Sequence, residues 1–482
     1  MQKNVKKFLP WLFLLMLLIG AITWYVLDRR VSVTQQQAYG EKLKEAELNL
    51  NGKNYSIALN KYYDAIEIIP HELEAYSHII DILLLKNRKE DALSITREAT
   101  RTLSSNQRSN LYLSIGDAYF KEGNYEKAKE VYQEGLSLGV TNPTLELALG
   151  KSLLNVGMLN EGRRLIEENQ STGEEEIETN LILSYIYAIE DIDKAKKQIS
   201  AVTPSDVWNH FYDEFDTTLK SLDQDLKFNV VKLARVYINS GYPYLAIQVL
   251  QKDDVDISQY LEGKYFLGRA YLDAGQYDKA IAELDAALSL GGMESEVFWT
   301  KARASYAKNN LEASITNYSR AIDSAGKQIP EDLLKEYVHM LLDNKQNLKA
   351  SEVIKLSLIS SEEAYIYLLG LEVSSTLSEA AKIEYYMNQL AKFELTEDQE
   401  KEYLYWQAKL FIEKGEVENA KVTLEKLLSL DKFNPKYHFL LSKVKIKETD
   451  VEGAKMSLEK CIECDLDNVV TEEALQLLSN LK

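Results

Sequence analysis

Residues that carry covalent or metal chemistry are scarce in this sequence. Its 482 residues include two cysteines, too few for the disulfide framework of a chain this long. The five histidines are scattered without the spacing of a zinc motif, and no glycine-rich phosphate-binding motif is present. We therefore expect no catalytic residues, no cofactor and no metal. The histidines are His71, His78, His210, His339 and His438.

Cys461 and Cys464 form the most suggestive local motif. A structural zinc site needs four ligands, and no second cysteine pair exists to complete one. The pair falls late in a predicted helix rather than at a helix N-terminus, where a thiol pKa is lowered. We therefore predict that both cysteines are buried core residues; the alternative is a redox-active pair.

Positive charge is in deficit, and proline is rare. The chain has 56 Lys and Arg against 75 Asp and Glu, a formal net charge of −19. This balance opposes duplex nucleic-acid binding, which depends on phosphate neutralisation. Apolar residues make up 45% of the chain and aromatics 10%, enough to exclude a disordered chain.

One long uncharged run lies at the N-terminus. It extends from residue 8 to residue 27, between Lys7 and Asp28, and as a helix it would be roughly 30 Å long. A cleaved signal peptide is the alternative, but Trp24 and Tyr25 stand where small residues are needed. We therefore predict a cytoplasmic tail (1–7), a transmembrane signal-anchor helix (8–27) and a linker (28–37).

The distribution of positive charge around this run predicts its orientation. More lysines precede the run than arginines follow it, which places the N-terminus in the cytoplasm and the body outside it. The predicted localisation is a single-pass protein of the cell membrane, and the opposite orientation is the alternative.

Beyond the anchor a pattern recurs. Gly116, Gly123 and Ala128 have the same mutual spacing as Gly268, Gly275 and Ala280, and as Ala408, Gly415 and Ala420. Small residues at the last of these positions recur through the chain, mostly 33 to 39 residues apart. We assign this marker position to Ala58, Ala92, Ala128, Gly162, Ala195, Ala246, Ala280, Ser314, Ser351, Ala381, Ala420 and Ala454.

The pattern resembles the tetratricopeptide repeat (TPR) family, whose unit is a pair of helices about 34 residues long. The resemblance implies an all-α fold: a right-handed α-solenoid of about 12 helix-turn-helix repeats, preceded here by the transmembrane helix. We place an N-terminal array of about five repeats at 38–203, a C-terminal array of about seven at 227–467, and a capping helix at 468–482.

Residues 204–226 are an additional segment that makes the spacing between the markers Ala195 and Ala246 longer than one repeat. Six residues of this segment fall on one stripe of a helix. One interpretation is an intercalated helix that packs this stripe into the solenoid; the other is a hinge or an exposed docking stripe containing Trp208, Phe211 and Phe215. The six residues are Trp208, Phe211, Tyr212, Phe215, Leu219 and Leu222.

A basic residue follows the small position of the first helix in many units. Arg235, Arg269 and Arg303 are spaced by 34 residues, and Lys409 occupies the same register. The resemblance places this register in the concave groove, where the cations would hold carboxylates of an acidic peptide. Local ion pairing is the alternative. The expected flanking contacts are Tyr265, Trp299, Tyr306 and Tyr405.

The function expected from these features is a non-catalytic, membrane-tethered scaffold or adaptor of a bacterium. It would bind protein or peptide partners, but no nucleic acid, in an extracytoplasmic groove. The alternative is a cytoplasm-facing, membrane-anchored assembly or quality-control factor. An envelope hydrolase with a site between helices is a more remote alternative. The oligomeric state is left open.

Overall fold

The computed structural model describes residues 33–99, 102–139, 142–169, 173–200, 209–466 and 469–481. These residues form 26 α-helices and no strand, an all-α solenoid consistent with TPR-like repeats. The helices are α1 Val33–Asn51, α2 Tyr55–Ile68, α3 Leu73–Leu85, α4 Lys89–Glu98, α5 Ser105–Lys121, α6 Tyr125–Leu136, α7 Pro143–Asn155, α8 Leu159–Glu168, α9 Glu174–Glu190, α10 Ile192–Ser200, α11 Asn209–Lys220, α12 Leu226–Asn239, α13 Pro243–Leu250, α14 Leu261–Asp273, α15 Tyr277–Leu290, α16 Glu294–Ala307, α17 Leu311–Ala325, α18 Glu331–Asp343, α19 Asn347–Ser360, α20 Ala364–Thr376, α21 Ala380–Leu390, α22 Glu397–Lys414, α23 Val417–Leu430, α24 Pro435–Lys447, α25 Val451–Cys464 and α26 Thr471–Asn480.

The predicted transmembrane helix requires a correction. Among the described residues, no helix combines the length and the apolar character needed to cross a membrane. The segment 8–27, with its flanks 1–7 and 28–32, lies outside the described residues. The fold class is therefore corrected to the solenoid alone, and the predicted cell-membrane localisation does not stand.

The helices form twelve pairs within the described chain, with α11 inserted between the fifth and sixth pairs and α26 added after the last. Several pairs approach closely where the first helix carries a glycine. A Cβ added to Gly116 would lie 2.2 Å from the Tyr132 ring, and one added to Gly268 would lie 2.7 Å from Cγ of Leu284. These contacts leave no room for a methyl group, so the glycines set the distance between the paired helices.

Two marker residues were assigned wrongly. In ten pairs the assigned residue is the fourth of its second helix, but Ser351 and Ala381 are not. That position is occupied by Ala350, which is fully buried, and by Ile383, which is 6% exposed. In the second case the first helix carries Gly370, whose added Cβ would lie 2.8 Å from the Tyr386 ring, so this pair also approaches closely at a glycine. At Ala381 the register error arose because the large Ile383 stands where the pattern expects a small residue. At Ser351 it arose because two small residues, Ala350 and Ser351, are adjacent.

Most turns inside the pairs contain a residue in the left-handed conformation. Gly123, Gly275 and Gly415 have φ between 71° and 77°, as the sequence pattern predicts. Six other pairs place a non-glycine residue in this conformation at the same point: Lys53, Asn87, Asn309, Lys345, Ser378 and Thr449.

The inserted helix α11 packs into the solenoid. Phe215 is fully buried, with its ring centre 4.6 Å from that of Tyr185, and Leu219 is 1% exposed. The apolar core they join runs from Leu147 to Ala304, so it is continuous across the insertion. This favours the intercalated helix over an exposed docking stripe, and Phe215 has no surface to offer a partner. Trp208 lies outside the described residues.

The two ends of the described solenoid meet. The Glu463 carboxylate on α25 accepts hydrogen bonds from the Ser56 backbone N–H (2.6 Å) and hydroxyl (3.0 Å) at the start of α2. The Lys460 ammonium donates to the Asn54 side-chain oxygen (3.1 Å). Leu466 packs against the N-terminal core, and the Lys53 ammonium lies 4.4 Å from the centre of the Phe433 ring. We call this contact the terminal clasp; repeat spacing alone gives no sign of it.

Substitution of Gly268 by alanine tests the helix approach. We expect Gly268→Ala to cost about 1–3 kcal/mol of stability because the added methyl overlaps Leu284. Gly40 is the matched control: it is also helical, with open space at its Cβ, and Gly40→Ala should stabilise by about 0.5–1 kcal/mol. Thermal and denaturant unfolding measure both. Equal unfolding midpoints for the two variants would contradict the proposed packing.

Charge reversal at Glu463 tests the terminal clasp. We expect Glu463→Lys to separate the two ends, because its ammonium would lie beside Lys53 and Lys460 and lose the Ser56 contacts. Small-angle X-ray scattering should show a larger radius of gyration, with little change in melting temperature, since exposed polar contacts contribute only about 1 kcal/mol. The control is Glu459→Lys, an exposed position on the same helix. Identical scattering from both variants would refute the clasp.

Candidate functional site

The predicted cations occupy one register on first helices. Arg235 lies on α12, Arg269 on α14, Arg303 on α16 and Lys409 on α22, each directly after a buried small residue. Because the small residue faces the second helix of its own pair, the next residue is turned about 100° away from that contact. The solenoid therefore repeats a cation at equivalent points of several units, as the spacing predicts.

Arg303 and Trp299 converge on one carboxylate. Glu336, on the next first helix α18, accepts from Arg303 Nε (3.0 Å), Trp299 Nε1 (3.0 Å) and the Tyr318 hydroxyl (2.6 Å). The Arg303 guanidinium also lies 5.7 Å from the centre of the Trp299 ring. Burial, with Glu336 beside it, raises the pKa of Tyr318. Arg303 therefore forms a local ion pair, which was the alternative interpretation of the cation row.

Arg235 and Arg269 are placed differently. Arg235 is exposed, and neither arginine has an ion pair within 4.0 Å among the described residues. Burial raises the pKa of Asp273, and the positive charges of Arg269 and Arg303 only partly oppose this effect. Asp273 therefore interacts with Arg269 without a direct ion pair. These two arginines keep donors free for a ligand.

The expected flanking aromatics are partly exposed. Tyr265 is half-buried against Phe266, their ring centres 5.2 Å apart, and Tyr306 is 41% exposed. Phe211, on the inserted helix, is also half-buried. Each of these rings keeps an accessible edge or face, so each is compatible with a partner contact.

A second polar cluster lies in the C-terminal repeats, on α18, α20 and α22. The Lys409 ammonium donates to the Ser375 hydroxyl at 2.5 Å, and burial lowers the pKa of Lys409. Burial raises the pKa of the neighbouring Tyr405 to about 12. His339 Nε2 lies 3.0 Å from the Glu372 carboxylate. His339 and Glu372 occupy the same register as the cations, which sequence analysis missed because its marker residues were misplaced in these two units.

The same register is acidic in the first three repeats. Glu47, Asp81 and Asp117 each lie eleven residues before the buried alanine of their second helix, as Arg269 does before Ala280. Burial raises the pKa values of Asp81 and Asp117. The row of side chains therefore changes sign along the chain, from acidic in the first repeats to mainly basic in the later ones.

The environments of the two cysteines are those of core residues. Cys461 and Cys464 are both buried and free, and burial raises the pKa of Cys461 to about 12, so it remains a thiol.

In the described part of the chain, Glu47, Glu74 and His78 bring ligand atoms within 4.8 Å of one another. Both carboxylates are exposed and the His78 ring stacks on Tyr62, with ring centres 4.9 Å apart.

A cavity near the inserted helix was also missed. It has a volume of about 200 Å³ and is lined by residues of α5, α6, α7, α9, α11 and the turn after α12. Lys151 and Glu178 form an ion pair (2.5 Å) at its wall. Its sequence signals were Phe211 on the predicted stripe and the basic residue at 151, which lies in the register of the cation row.

The His339 pair predicts a pH dependence. The hydrogen bond to Glu372 raises the pKa of His339 above its usual 6.5. The stabilisation is therefore complete below about 6.5 and is lost as pH rises through the higher folded-state pKa. We expect His339→Gln to lower the melting temperature at pH 6 but hardly at pH 9. His210→Gln, at an exposed histidine, is the control, and a pH-independent effect of His339→Gln would contradict the assignment.

Comparisons with known proteins agree with the repeat pattern. Residues 109–138, 265–329 and 401–434 match models of the family described as Tetratricopeptide repeat. The small glutamine-rich tetratricopeptide repeat-containing protein 2 of Mycosarcoma maydis is 27% identical over 116 residues. That match covers 24% of this chain and about a third (32%) of the relative.

Several solved structures align at low similarity. The APC/C hetero-tetramer Cut9–Hcn1 covers 96% of this chain and 98% of its own, at 12% identity and a TM-score of 0.35. A tetratricopeptide repeat protein of Parabacteroides merdae covers 53% and 99%, at 14% identity and 0.38. The P58(IPK) TPR domain covers 92% and 98%, at 14% identity and 0.25. Scores this low support no inference about this chain. From the matched segments, the chain contains tetratricopeptide repeats.

Proposed function

We propose that this protein is a non-catalytic scaffold that binds extended peptide segments of protein partners across the first helices of its repeats. Tetratricopeptide repeats generally mediate protein–protein interactions, and twelve helix pairs, one inserted helix and one added helix account for every helix of the described chain. The observation that carries the proposal is the recurrence of a charged side chain in one register of successive first helices.

The charges indicate the chemistry of the partner segment. Arg235 and Arg269 have no direct ion pair among the described residues, whereas Glu336 already neutralises Arg303. Two free guanidiniums, one repeat apart, match carboxylates of an extended acidic segment, and charge-assisted pairs with carboxylates are strong. Tyr265 and Tyr306 lie on the same first helices as Arg269 and Arg303 and would supply apolar contact. The acidic residues of the first repeats would favour a neutral or basic continuation of the segment.

Peptide selection with charge-reversed variants tests this proposal. Phage-displayed dodecamers selected on the full chain should be enriched in Asp and Glu. Because two ionic contacts are lost, Arg235→Glu with Arg269→Glu should weaken the selected peptides at least about tenfold in fluorescence anisotropy at low salt. The melting temperature should fall only modestly: neither arginine has a direct ion pair to lose, but a glutamate at position 269 would lie near the Asp273 carboxylate.

The control carries the same charge change elsewhere. Arg164 and Arg320 are exposed and lie on second helices, α8 and α17. Reversal of both to glutamate should leave peptide affinity within about twofold, the size expected of screened surface charges. Selected peptides without an acidic bias, or equal weakening by both double variants, would rule out the arginine site.

A further inference from the structure

The cavity near the inserted helix has an aromatic and aliphatic wall. Phe120, Tyr125, Tyr185 and Phe211 contribute rings, and Leu181 and Ile182 contribute aliphatic side chains. Its volume of about 200 Å³ exceeds the ~150 Å³ of an engineered apolar cavity that holds one benzene. It can therefore hold one large apolar side chain.

Asn155 adds an unpaired amide to this wall. It ends helix α7 and is 4% exposed, yet neither its Nδ2 nor its Oδ1 has a hydrogen-bond partner in the described structure. An unpaired buried polar group destabilises the folded state, and proteins rarely keep one without a reason. Asn317 is buried to the same extent, at 5%, but donates to the Ser305 hydroxyl. Burial alone therefore does not explain the state of Asn155.

Four other polar side chains of the cavity are already paired with one another. The Lys151 ammonium and the Glu178 carboxylate pair at 2.5 Å, so their charges cancel. The Tyr185 hydroxyl lies 3.2 Å from the Ser240 hydroxyl. A charged ligand would have to break the ion pair, whereas a neutral ligand leaves it intact. Among the lining residues, the fully buried polar atoms without a partner in the described structure are those of one carboxamide, which both donates and accepts.

A carboxamide has a natural complement in an extended peptide. Within one residue of a β-strand the N–H and C=O point to the same side, and together they match the C=O and N–H of an asparagine side chain. Asn155 and Tyr125 also line a second cavity of about 310 Å³, which reaches Tyr244 and Asp273. A chain that passes Asn155 can therefore continue beyond it, which a compact small molecule has no need to do.

We propose that this cavity is an anchor site for one neutral, apolar residue of an extended peptide. The residue inserts its side chain among the rings, and Asn155 pairs with that residue's own N–H and C=O. The proposal deepens the proposed scaffold function by assigning a peptide as ligand, but it does not depend on the arginine row. The two sites would read different residues of a partner segment: an acidic one at the arginines and an apolar one here.

Model compounds test the site directly. The probe is N-acetyl-L-leucine N-methylamide, observed by saturation-transfer NMR with the full chain. Its analogue methylated on the leucine nitrogen lacks the N–H that Asn155 would accept, and toluene lacks both amide groups. We expect the first compound to bind at least about fivefold more tightly than its methylated analogue, as the loss of one buried hydrogen bond predicts. Equal binding of the two amides, binding of toluene alone, or no binding overturns the proposal.

A substitution at Asn155 separates binding from stability. Asn155→Leu has a similar shape and removes an unpaired buried amide, so the melting temperature should stay or rise while probe binding falls at least about fivefold. Asn317→Leu is the matched control, which should lower the melting temperature and leave probe binding unchanged. A lower melting temperature of Asn155→Leu would show that the amide is already satisfied in the free protein and would overturn the site.

The outcome can be told apart from that of the arginine experiment. Acidic dodecamers that bind through Arg235 and Arg269 alone should keep their affinity for the Asn155→Leu variant. If these peptides bind and the leucine amide does not, the scaffold function stands and the anchor site fails. If the leucine amide binds and no acidic peptide is selected, the anchor site stands and the arginine site fails.

Discussion

The close approach of two helices at a residue without a side chain is the contact on which the rest of this structure depends. At Gly116 and Gly268 the second helix lies so near that a methyl group would overlap Tyr132 or Leu284. In these pairs the distance fixes which side of the first helix faces its partner helix. It thereby fixes where the following residue points, so the side chains that follow the small residues lie at equivalent points of their units.

Much of this arrangement could be predicted from the sequence, because it depends on contacts within about one repeat length. The marker alanines, the glycines with positive φ and the stripe of the inserted helix follow from spacing and side-chain size alone. The prediction was wrong at Ser351, where the adjacent Ala350 and Ser351 are both small, and at Ala381, where Ile383 replaces the expected small residue. Side-chain size alone cannot find the register in either unit.

The site was less predictable, because its properties depend on which neighbours each side chain meets. Arg235, Arg269 and Arg303 are equivalent by spacing, yet only Arg303 meets a carboxylate on the next repeat. In the sequence Asn155 resembles any polar residue near a helix end. Only the three-dimensional packing shows that its buried side-chain amide has no hydrogen-bond partner in the described structure. The terminal clasp joins residues about 400 positions apart, a separation at which no periodic pattern carries information.

Joining the first and last repeats limits the motions open to the solenoid. An open solenoid can lengthen or shorten like a spring, since each repeat contacts mainly its neighbours. While Glu463 and Ser56 are in contact, such a change of pitch requires this contact to break. A partner that fits the joined repeats therefore leaves the contact intact, whereas one that needs the repeats spread apart must open it first.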